Sequence, residues 1–484
     1  MGSRRGCPGC RVSLAERLDA APLVDLARRA LAGEPEAWIV GGAVRDAALD
    51  RDVTDLDLAV AGDPAVAAKA VARAGDGHAF ELSSEFATWR AVARDRSWQL
   101  DATVLRGETI EADLAARDFT LGAAAVPLGG GEPIDPYDGL GDLRRGLLRV
   151  VSEAGFRDDP LRLLRAARLA ADLGLELDAG TASLARTQAE LADKPAGERR
   201  LAELRRLVGG PDPLRGVGLL DELGLTAVVL PELDALRGVE QGPNHHLDVY
   251  GHTLAVLERT LEVEADLERF AGERATETQA LLDEPLADEM SRRTALRFGA
   301  LLHDIGKPAT RGEHDGYVTF IGHDTVGAEV VGGICRRLRA GGRLTRHLQA
   351  LTLHHLRLGF LVHEAPLPPR RVYEYLRATQ PVAADVTLLT VADRLSARGS
   401  GPLATEEAIE AHLTLARQML AAALEWHRDG PPEPLLRGDD LAAELGIAHG
   451  PELGDLLTEL EAAQYAGEVS TREEAIERAR RLRG

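Results

Sequence analysis

Cysteine is scarce in this chain of 484 residues, which contains only Cys7, Cys10 and Cys335. So few thiols exclude a fold that depends on a network of disulfides. Cys7 and Cys10 form a single Cys-x-x-Cys pair, whereas a structural zinc site needs a second pair of ligands. We interpret the pair as incidental to the terminus, with a metal or redox role as the alternative.

Long apolar runs are also missing. No stretch approaches the roughly 20 apolar residues that a membrane-spanning helix needs. The first residues, MGSRRGCPGCRVSLAERLDA, carry basic side chains but lack the apolar core of a signal peptide. We expect a cytoplasmic protein with no membrane partner.

Lysine and aromatic residues are rare, and acidic residues outnumber basic ones. The lysines are Lys69, Lys194 and Lys307, aromatic residues make up 4% of the chain, and the formal net charge is -21. This charge excludes a protein that coats nucleic acid through bulk positive charge. The low aromatic content disfavours a single-strand binder built on stacked bases. A local basic face that contacts the shape and phosphates of a nucleic acid is still open.

The length predicts several domains, because one core rarely serves so long a chain. Between about residues 37 and 128, one helical stretch is set among short apolar runs, which predicts a small α/β unit; the runs are AWIV, DLDLAV, HAFEL, TWRAVA and WQLDATVL. From Asp159 onward, apolar residues recur at spacings of three and four, which predicts helices. The acidic stretch at about 262–289 is expected to be a solvated insertion. The predicted fold class is α+β.

The stretch IVGGAVRDAALDRDVTDLDLAV, residues 39–60, combines a glycine pair with alternating carboxylates. Gly41 and Gly42 follow a predicted strand and precede a predicted helix. Free backbone N–H groups at a helix start bind phosphate, and Arg45 adds a cation there. A glycine pair is more often only a turn, so this signal is weak by itself.

Asp55 and Asp57 are two residues apart on a predicted strand, so both carboxylates project from the same face. Such a pair can hold Mg²⁺ ions that align and neutralise a nucleoside triphosphate. The alternative is an exposed edge strand whose acidic residues face water. Asp101, on another predicted strand, is a candidate third ligand.

The combination of Gly-Gly, Arg-Asp, Asp-x-Asp and a later strand carboxylate resembles the nucleotidyltransferase superfamily that includes DNA polymerase beta. More narrowly, it resembles the class II tRNA nucleotidyltransferase and bacterial poly(A) polymerase family. DLAARDFTLGAAAV is similar to the family's RRDFTINA element, and RDDPLRLLRAARLAADLG to its EDPxRxLRxxRF helix. Ala116 and Gly122 depart from the family's Arg and Asn, which puts fine positioning in doubt. The resemblance covers about residues 37–210.

This resemblance implies a polymerase-beta-like head in which Asp55, Asp57 and Asp101 are the catalytic carboxylates and Mg²⁺ is the metal. The implied partners are tRNA and, as substrates, CTP and ATP. It also implies a set of residues that contact the nucleotide, namely Gly41, Gly42, Arg45, Asp46, Arg117, Asp118, Asp159, Arg162, Arg165 and Arg168.

In the family, the counterparts of Asp159 and Arg162 face the base of the incoming nucleotide. A carboxylate accepts hydrogen bonds from the amino groups of cytosine and adenine and repels the carbonyl oxygens of uracil and guanine. The alternative for Asp159 is a helix cap, since it precedes Pro160 at the first predicted helical position. For Arg165 and Arg168 the alternative is surface solvation.

Residues 245–400 contain a second series of motifs: HHLDVYGHTLAVLE, LLHDIGKPAT, FIGHDTVGAE, LTLHHLRLG and VADRLSARG. Imidazoles and carboxylates from separate helices can converge on metals and activate a bound water. In this order the motifs resemble the HD phosphohydrolase domain. The resemblance implies His252, His303, Asp304 and Asp393 as ligands of a divalent metal of unspecified identity. It offers His323 and one of His354 or His355 for a second metal or for phosphate.

We therefore predict an N-terminal extension at 1–35, a nucleotidyltransferase head at 36–150, a helical neck at 151–238, an HD domain at 239–400 and a helical tail at 401–484. The predicted activity is template-independent addition of C, C and A to the 3′ end of tRNA. The alternatives are a poly(A) polymerase or an enzyme restricted to CC or A, an HD phosphohydrolase whose head only binds nucleotide, and an inactive RNA-binding protein. The sequence leaves the oligomeric state and the activity of the HD site open.

Overall fold

The computed structural model describes residues 13–34, 36–83 and 87–483, so Cys7 and Cys10 lie outside the described residues. The chain forms two compact units. The first runs to Pro195 and includes Glu222–Leu225, and the second comprises Ala196–Asp221 and the residues from Thr226 onward. None of the described helices is both long and apolar enough to cross a membrane.

The first unit is built on a six-stranded sheet with the strand order β3-β4-β5-β2-β1-β6. Strands β2 and β5 are parallel, and the other neighbouring pairs are antiparallel. The strands are β1 Ala37–Val40, β2 Asp55–Val60, β3 Gly77–Ser83, β4 Thr88–Ala93, β5 Gln99–Val104 and β6 Ala125–Pro127. The five apolar runs identified in the sequence are thus confirmed as strands.

Nine helices accompany this sheet among the described residues of the first unit. They are α1 Leu14–Ala20, α2 Pro22–Ala30, α3 Gly42–Ala48, α4 Pro64–Ala74, α5 Ile110–Ala115, α6 Gly139–Arg145, α7 Gly155–Asp158, α8 Leu161–Leu173 and α9 Ala179–Thr187. Two short strands, β7 Leu147–Leu148 and β8 Glu176–Leu177, pair in parallel.

The two faces of the sheet differ in what covers them. Helices α1 to α4 share a core with one face, to which Leu56, Leu58 and Leu100 point. Helix α5 packs over part of the other face, beside Ala59. Because Leu18 and Val24 are fully buried in the first core, residues 14–30 are integral to the head. The predicted boundary after residue 35 therefore cuts through one core.

The second unit is mainly helical, which agrees with the predicted fold class. Its helices are α10 Gly197–Gly209, α11 Pro213–Glu222, α12 Thr226–Val229, α13 Pro231–Asp234, α14 Val249–Ala265, α15 Leu267–Ala271, α16 Ala275–Asp283, α17 Arg292–Leu302, α18 Lys307–Thr310, α19 His323–Arg337, α20 Gly342–His354, α21 Arg357–Leu361, α22 Pro369–Thr379, α23 Ala383–Ser396, α24 Glu406–Asp429, α25 Gly438–Leu445, α26 Pro451–Tyr465 and α27 Arg472–Arg483. Two short hairpins interrupt them, formed by β9 Pro285–Ala287 with β10 Met290–Ser291 and by β11 Gly312–His314 with β12 Tyr317–Thr319.

The expectation of a solvated insertion at about 262–289 is wrong. This stretch completes α14 and forms α15 and α16, and it buries Leu267, Phe270, Leu281 and Leu282. Its acidic residues are largely on the outer sides of these amphipathic helices. High charge in the sequence therefore marked exposed helix faces rather than an unpacked segment.

Candidate active sites

Three carboxylates share one face of the head sheet. Asp55 and Asp57 alternate on β2, and the parallel register pairs Asp57 directly with Asp101 of β5. Asp55 is exposed, whereas Asp57 and Asp101 are half-buried. The sheet thus brings together the three catalytic candidates predicted from the sequence, although β2 is a central strand and not the edge strand of the alternative interpretation.

The electrostatics of this group favour a bound cation. Burial raises the pKa of Asp57, and repulsion from Asp101 raises it further. Asp55, although exposed at its outer side, is partly desolvated by its neighbours, which raises its pKa against the opposing attraction of Arg90. Carboxylates that repel one another on a partly buried face fit a divalent metal, because its charge would offset both effects and oxygen is its preferred ligand.

Arg90 is a site residue that the sequence analysis missed. Its Nε and one terminal nitrogen donate to the two oxygens of Asp101, each over 2.7 Å. The antiparallel register of β4 and β5 places the two residues opposite each other. The alternation along TWRAVA predicts which strand residues share a face with Arg90. Only the strand pairing shows that Asp57 and Asp101 lie on that same face of the sheet.

The glycine turn comes directly against Asp57. The Gly42 N–H donates to Asp57 Oδ2 over 3.3 Å, and Gly41 has a φ of +65°. A β-carbon on Gly41 would lie 2.9 Å from the same oxygen. Arg45, one turn into α3, forms two 2.9 Å hydrogen bonds with Asp46. The turn is therefore required for the close approach of α3 to β2, which the glycine pair alone did not show.

Two further nucleotide-contact candidates are held by ion pairs. Arg117 donates to the buried Asp113, with a shortest distance of 2.8 Å. Arg165 donates to Asp118 over 2.9 Å. Burial acts to raise the pKa of Asp118, but the Arg165 guanidinium, the Phe119 N–H and Arg162 together outweigh it, and the pKa is lowered. Both arginines are thus oriented by the protein.

The α8 residues expected to read the base are also fixed by local bonds. Arg162 donates to the carbonyl oxygens of Ala116, over 2.8 Å, and Arg117, over 3.3 Å. The helix begins at Leu161, whose N–H donates to Asp159 Oδ1 over 3.3 Å, so Asp159 also has a capping contact. Arg168 pairs with Asp172 over 3.0 Å on the same helix. The backbone carbonyls of Ala116 and Arg117 therefore set the direction of the Arg162 guanidinium.

The second unit gathers histidines and aspartates from five places in the chain. Ligand atoms of His252, His303 and Asp393 lie within 4.8 Å of one another, and those of Asp304, His323 and His355 form a second such group. Representative distances are 3.0 Å from His252 Nε2 to Asp393 and 3.3 Å from His323 Nε2 to Asp304. The two groups offer three ligands each for a pair of metals.

The orientation of the rings fits metal binding. The Nδ1 atoms of His303, His323 and His355 lie 2.6 to 2.9 Å from backbone carbonyl oxygens. Such bonds fix the tautomer that leaves Nε2 as a ligand. His354 instead accepts a hydrogen bond from Arg357 Nε over 3.0 Å and belongs to neither group. Of the two adjacent candidates, the structure brings His355 to the cluster and leaves His354 outside it.

A cavity of about 560 Å³ opens onto this cluster. Lys307, which the sequence analysis did not single out, lies in its wall; its Nζ is 2.6 Å from Asp304 and 2.7 Å from Gln241 Oε1. Its position in the motif HDIGK, four residues after His303, was the available signal. The cavity thus combines metal ligands with a cation suited to an anionic group.

Comparison with known proteins finds family models for three parts of the chain. Family models described as poly A polymerase head domain and HD domain match residues 37–149 and 249–398. A third, described as a probable RNA and SrmB-binding site of polymerase A, matches residues 174–237.

Relatives align over nearly the whole chain. An A-adding tRNA nucleotidyltransferase of Deinococcus radiodurans is 37% identical over 91% of this chain and 94% of its own length. A CC-adding tRNA nucleotidyltransferase of Thermus thermophilus is 36% identical over 91% of this chain and 92% of its own. A multifunctional CCA protein of Xanthomonas campestris is 30% identical over 90% and 99%.

The fold has solved counterparts. The structure of an apo CCA-adding enzyme superposes with a TM-score of 0.63 at 19% identity and covers 97% of this chain and 98% of its own. The matches to a polymerase head and to an HD domain mark the chain as a nucleotidyltransferase that also carries an HD domain. Given its identity to full-length relatives, this chain belongs to the class II tRNA nucleotidyltransferase (CCA-adding enzyme) family.

Proposed function

We propose that this protein adds C, C and A to the 3′ end of tRNA in the cytoplasm, using CTP and ATP and no nucleic-acid template. The observation that carries the proposal is the face shared by Asp55, Asp57 and Asp101, next to the Gly41–Gly42 turn. Full-length relatives named as A-adding and CC-adding tRNA nucleotidyltransferases support the same chemistry.

Mg²⁺ is the metal that we propose for the head. Asp55 and Asp57 would hold the ion. Asp101 would also coordinate it if one of its oxygens were released from its hydrogen bond with Arg90. When bound, such ions activate the attacking hydroxyl and neutralise the leaving pyrophosphate. Gly42, Arg45 and Arg117 are the residues that we assign to the triphosphate and ribose.

Asp159 and Arg162 are the residues that we assign to base selection. The carbonyl bonds that hold Arg162 support this role, because a fixed guanidinium can discriminate between bases better than a mobile one. A carboxylate acceptor beside it favours cytosine and adenine, which both carry an amino group where uracil and guanine carry a carbonyl oxygen.

A second candidate is an enzyme restricted to CC or to A. It is supported by the names of the two relatives at 37% and 36% identity, of which one describes addition of A and the other addition of CC. For the HD domain we propose hydrolysis of phosphoesters such as 2′,3′-cyclic phosphates. The two groups of three ligand atoms and the adjacent Lys307 support this activity.

The decisive experiment uses three tRNAs, ending before CCA, after C and after CC, each with Mg²⁺ and CTP, ATP or both. Three added nucleotides on the first tRNA are expected, and the Asp55→Asn/Asp57→Asn variant should be slower by at least about 10³-fold because several kcal/mol of metal-dependent stabilisation are lost. Addition that stops at CC, or only A on the tRNA ending in CC, would establish the restricted enzyme. Long poly(A) products on unrelated RNA would refute both readings.

The same preparation separates the HD activity from the head. His303→Ala should abolish hydrolysis of a 2′,3′-cyclic nucleotide and leave nucleotide addition intact. The reverse pattern is expected of the Asp55→Asn/Asp57→Asn variant. A wild-type chain with phosphoesterase activity but no pyrophosphate release from either CTP or ATP on any of the three tRNAs would support the phosphohydrolase with a nucleotide-binding head. Binding of tRNA with neither activity would support an inactive RNA-binding protein.

A further inference from the structure

A row of four side chains crosses the carboxylate face of the head sheet. The registers pair Phe80 of β3 with Arg90 of β4, Arg90 with Asp101 of β5, and Asp101 with Asp57 of β2. Residues paired in this way point to the same face. The row therefore joins the edge strand of the sheet directly to the catalytic carboxylates.

The outer end of this row is aromatic and accessible. Phe80 is 41% exposed and is the one aromatic among the exposed large apolar side chains that the structure describes in the first unit. The His78 ring stacks beside it, with ring centroids 5.9 Å apart and an angle of 25° between the planes. Proteins that bind single-stranded nucleic acids stack the bases on exposed aromatic rings and contact the phosphates with nearby arginines.

The opposite side of Asp57 is already occupied by the glycine turn. Strand β1 and the Gly41–Gly42 turn adjoin β2 on the side away from β5. Under the proposed function, this turn side holds the triphosphate. In phosphoryl transfer, the attacking and leaving oxygens lie roughly in line on opposite sides of the transferred group. The acceptor strand is then expected on the β5-β4-β3 side.

We infer that His78, Phe80 and Arg90 form a platform for the 3′-terminal nucleotide of the acceptor RNA, with its base stacked on Phe80. Strands are spaced about 4.8 Å apart, so Phe80 lies about 10 Å from Asp101 and about 14 Å from Asp57. A base stacked on Phe80, together with its own ribose, spans roughly the distance from Phe80 to Asp101, so the 3′ hydroxyl is left beside the carboxylates. The inference rests on the proposed function for the assignment of the triphosphate side.

A fluorescent base tests the platform without catalysis. A tRNA ending before CCA, with 2-aminopurine as its terminal base, is titrated with protein in the absence of nucleotide. Stacking on Phe80 should quench the fluorescence in the wild type and in Phe80→Tyr. Phe80→Ala and Phe80→Leu should bind with little quenching. Val66→Ala is the matched control, because Val66 is 45% exposed but lies on α4, which packs against the other face.

Steady-state kinetics supply the second measurement. Loss of one base stack should raise the KM for tRNA by about 5- to 100-fold in Phe80→Ala. The KM values for CTP and ATP should not change. Equal quenching in wild type and Phe80→Ala, or an effect on the KM of CTP or ATP instead of tRNA, would overturn the inference. A wild-type chain that quenches the base but adds no nucleotide would refute the proposed function and leave the platform standing.

Discussion

Gly41 and Asp57 approach so closely that a β-carbon on Gly41 would lie 2.9 Å from Asp57 Oδ2. Gly41→Ala should therefore displace the carboxylate as well as strain the backbone, since the φ of Gly41 is +65°. Gly33 has a φ of +91° but no atom within 4 Å of its added β-carbon. Both alanine variants should lose about 1–2 kcal/mol of stability, and only Gly41→Ala should lose CTP affinity. The affinity for CTP is measured by isothermal titration calorimetry. Equal CTP affinity in both variants would contradict the prediction.

The ionised Asp57 carboxylate should lower the stability of the metal-free protein at neutral pH. Its pKa is raised above the ordinary 3.8, so the folded state holds the proton more tightly than the unfolded state. The stability that this group contributes is present below pH 3.8 and is lost as the pH rises through the raised pKa. In EDTA, Asp57→Asn should melt above the wild type at pH 7 and level with it near pH 3.5. A variant that melts lower at pH 7 would disprove this, and Asp52→Asn is the exposed control.

Arg90 should weaken metal binding by neutralising Asp101. In Arg90→Gln, the Asp101 carboxylate loses both 2.7 Å bonds and becomes free to coordinate. We expect about tenfold tighter Mn²⁺ binding to the head, measured by electron paramagnetic resonance in a His303→Ala/His355→Ala background that removes the HD ions, since one nearby positive charge is removed. Arg94→Gln is the matched control, because Arg94 is well exposed and pairs with Asp76. Unchanged affinity in Arg90→Gln would show that the ion pair is independent of the metal site.

The HD cluster should bind two divalent ions through separate ligand sets. His355→Ala should lose one equivalent of Mn²⁺, and His303→Ala should lose the other. His354→Ala, the adjacent control, should bind two equivalents, because His354 is bonded to Arg357. These equivalents are counted by equilibrium dialysis in the Asp55→Asn/Asp57→Asn background to silence the head. Loss of an equivalent in His354→Ala would contradict the assignment.

Local pattern was sufficient for much of the head. Alternation along AWIV, DLDLAV and TWRAVA identified strands, because a strand presents neighbouring side chains to opposite faces wherever it is placed. The same rule placed Asp55 and Asp57 together. By contrast, charge density at about 262–289 was misleading, since amphipathic helices also expose acidic faces while burying residues such as Phe270.

What lay beyond the sequence was pairing between distant residues. Which strand lies next to β2, and in which register, depends on packing across the whole sheet, so the contact of Arg90 with Asp101 and the row that ends at Phe80 appear only in the folded chain. The choice between His354 and His355 is of the same kind. The two rings point about 100° apart around α20, and the helices packed against α20 decide which one reaches Asp304.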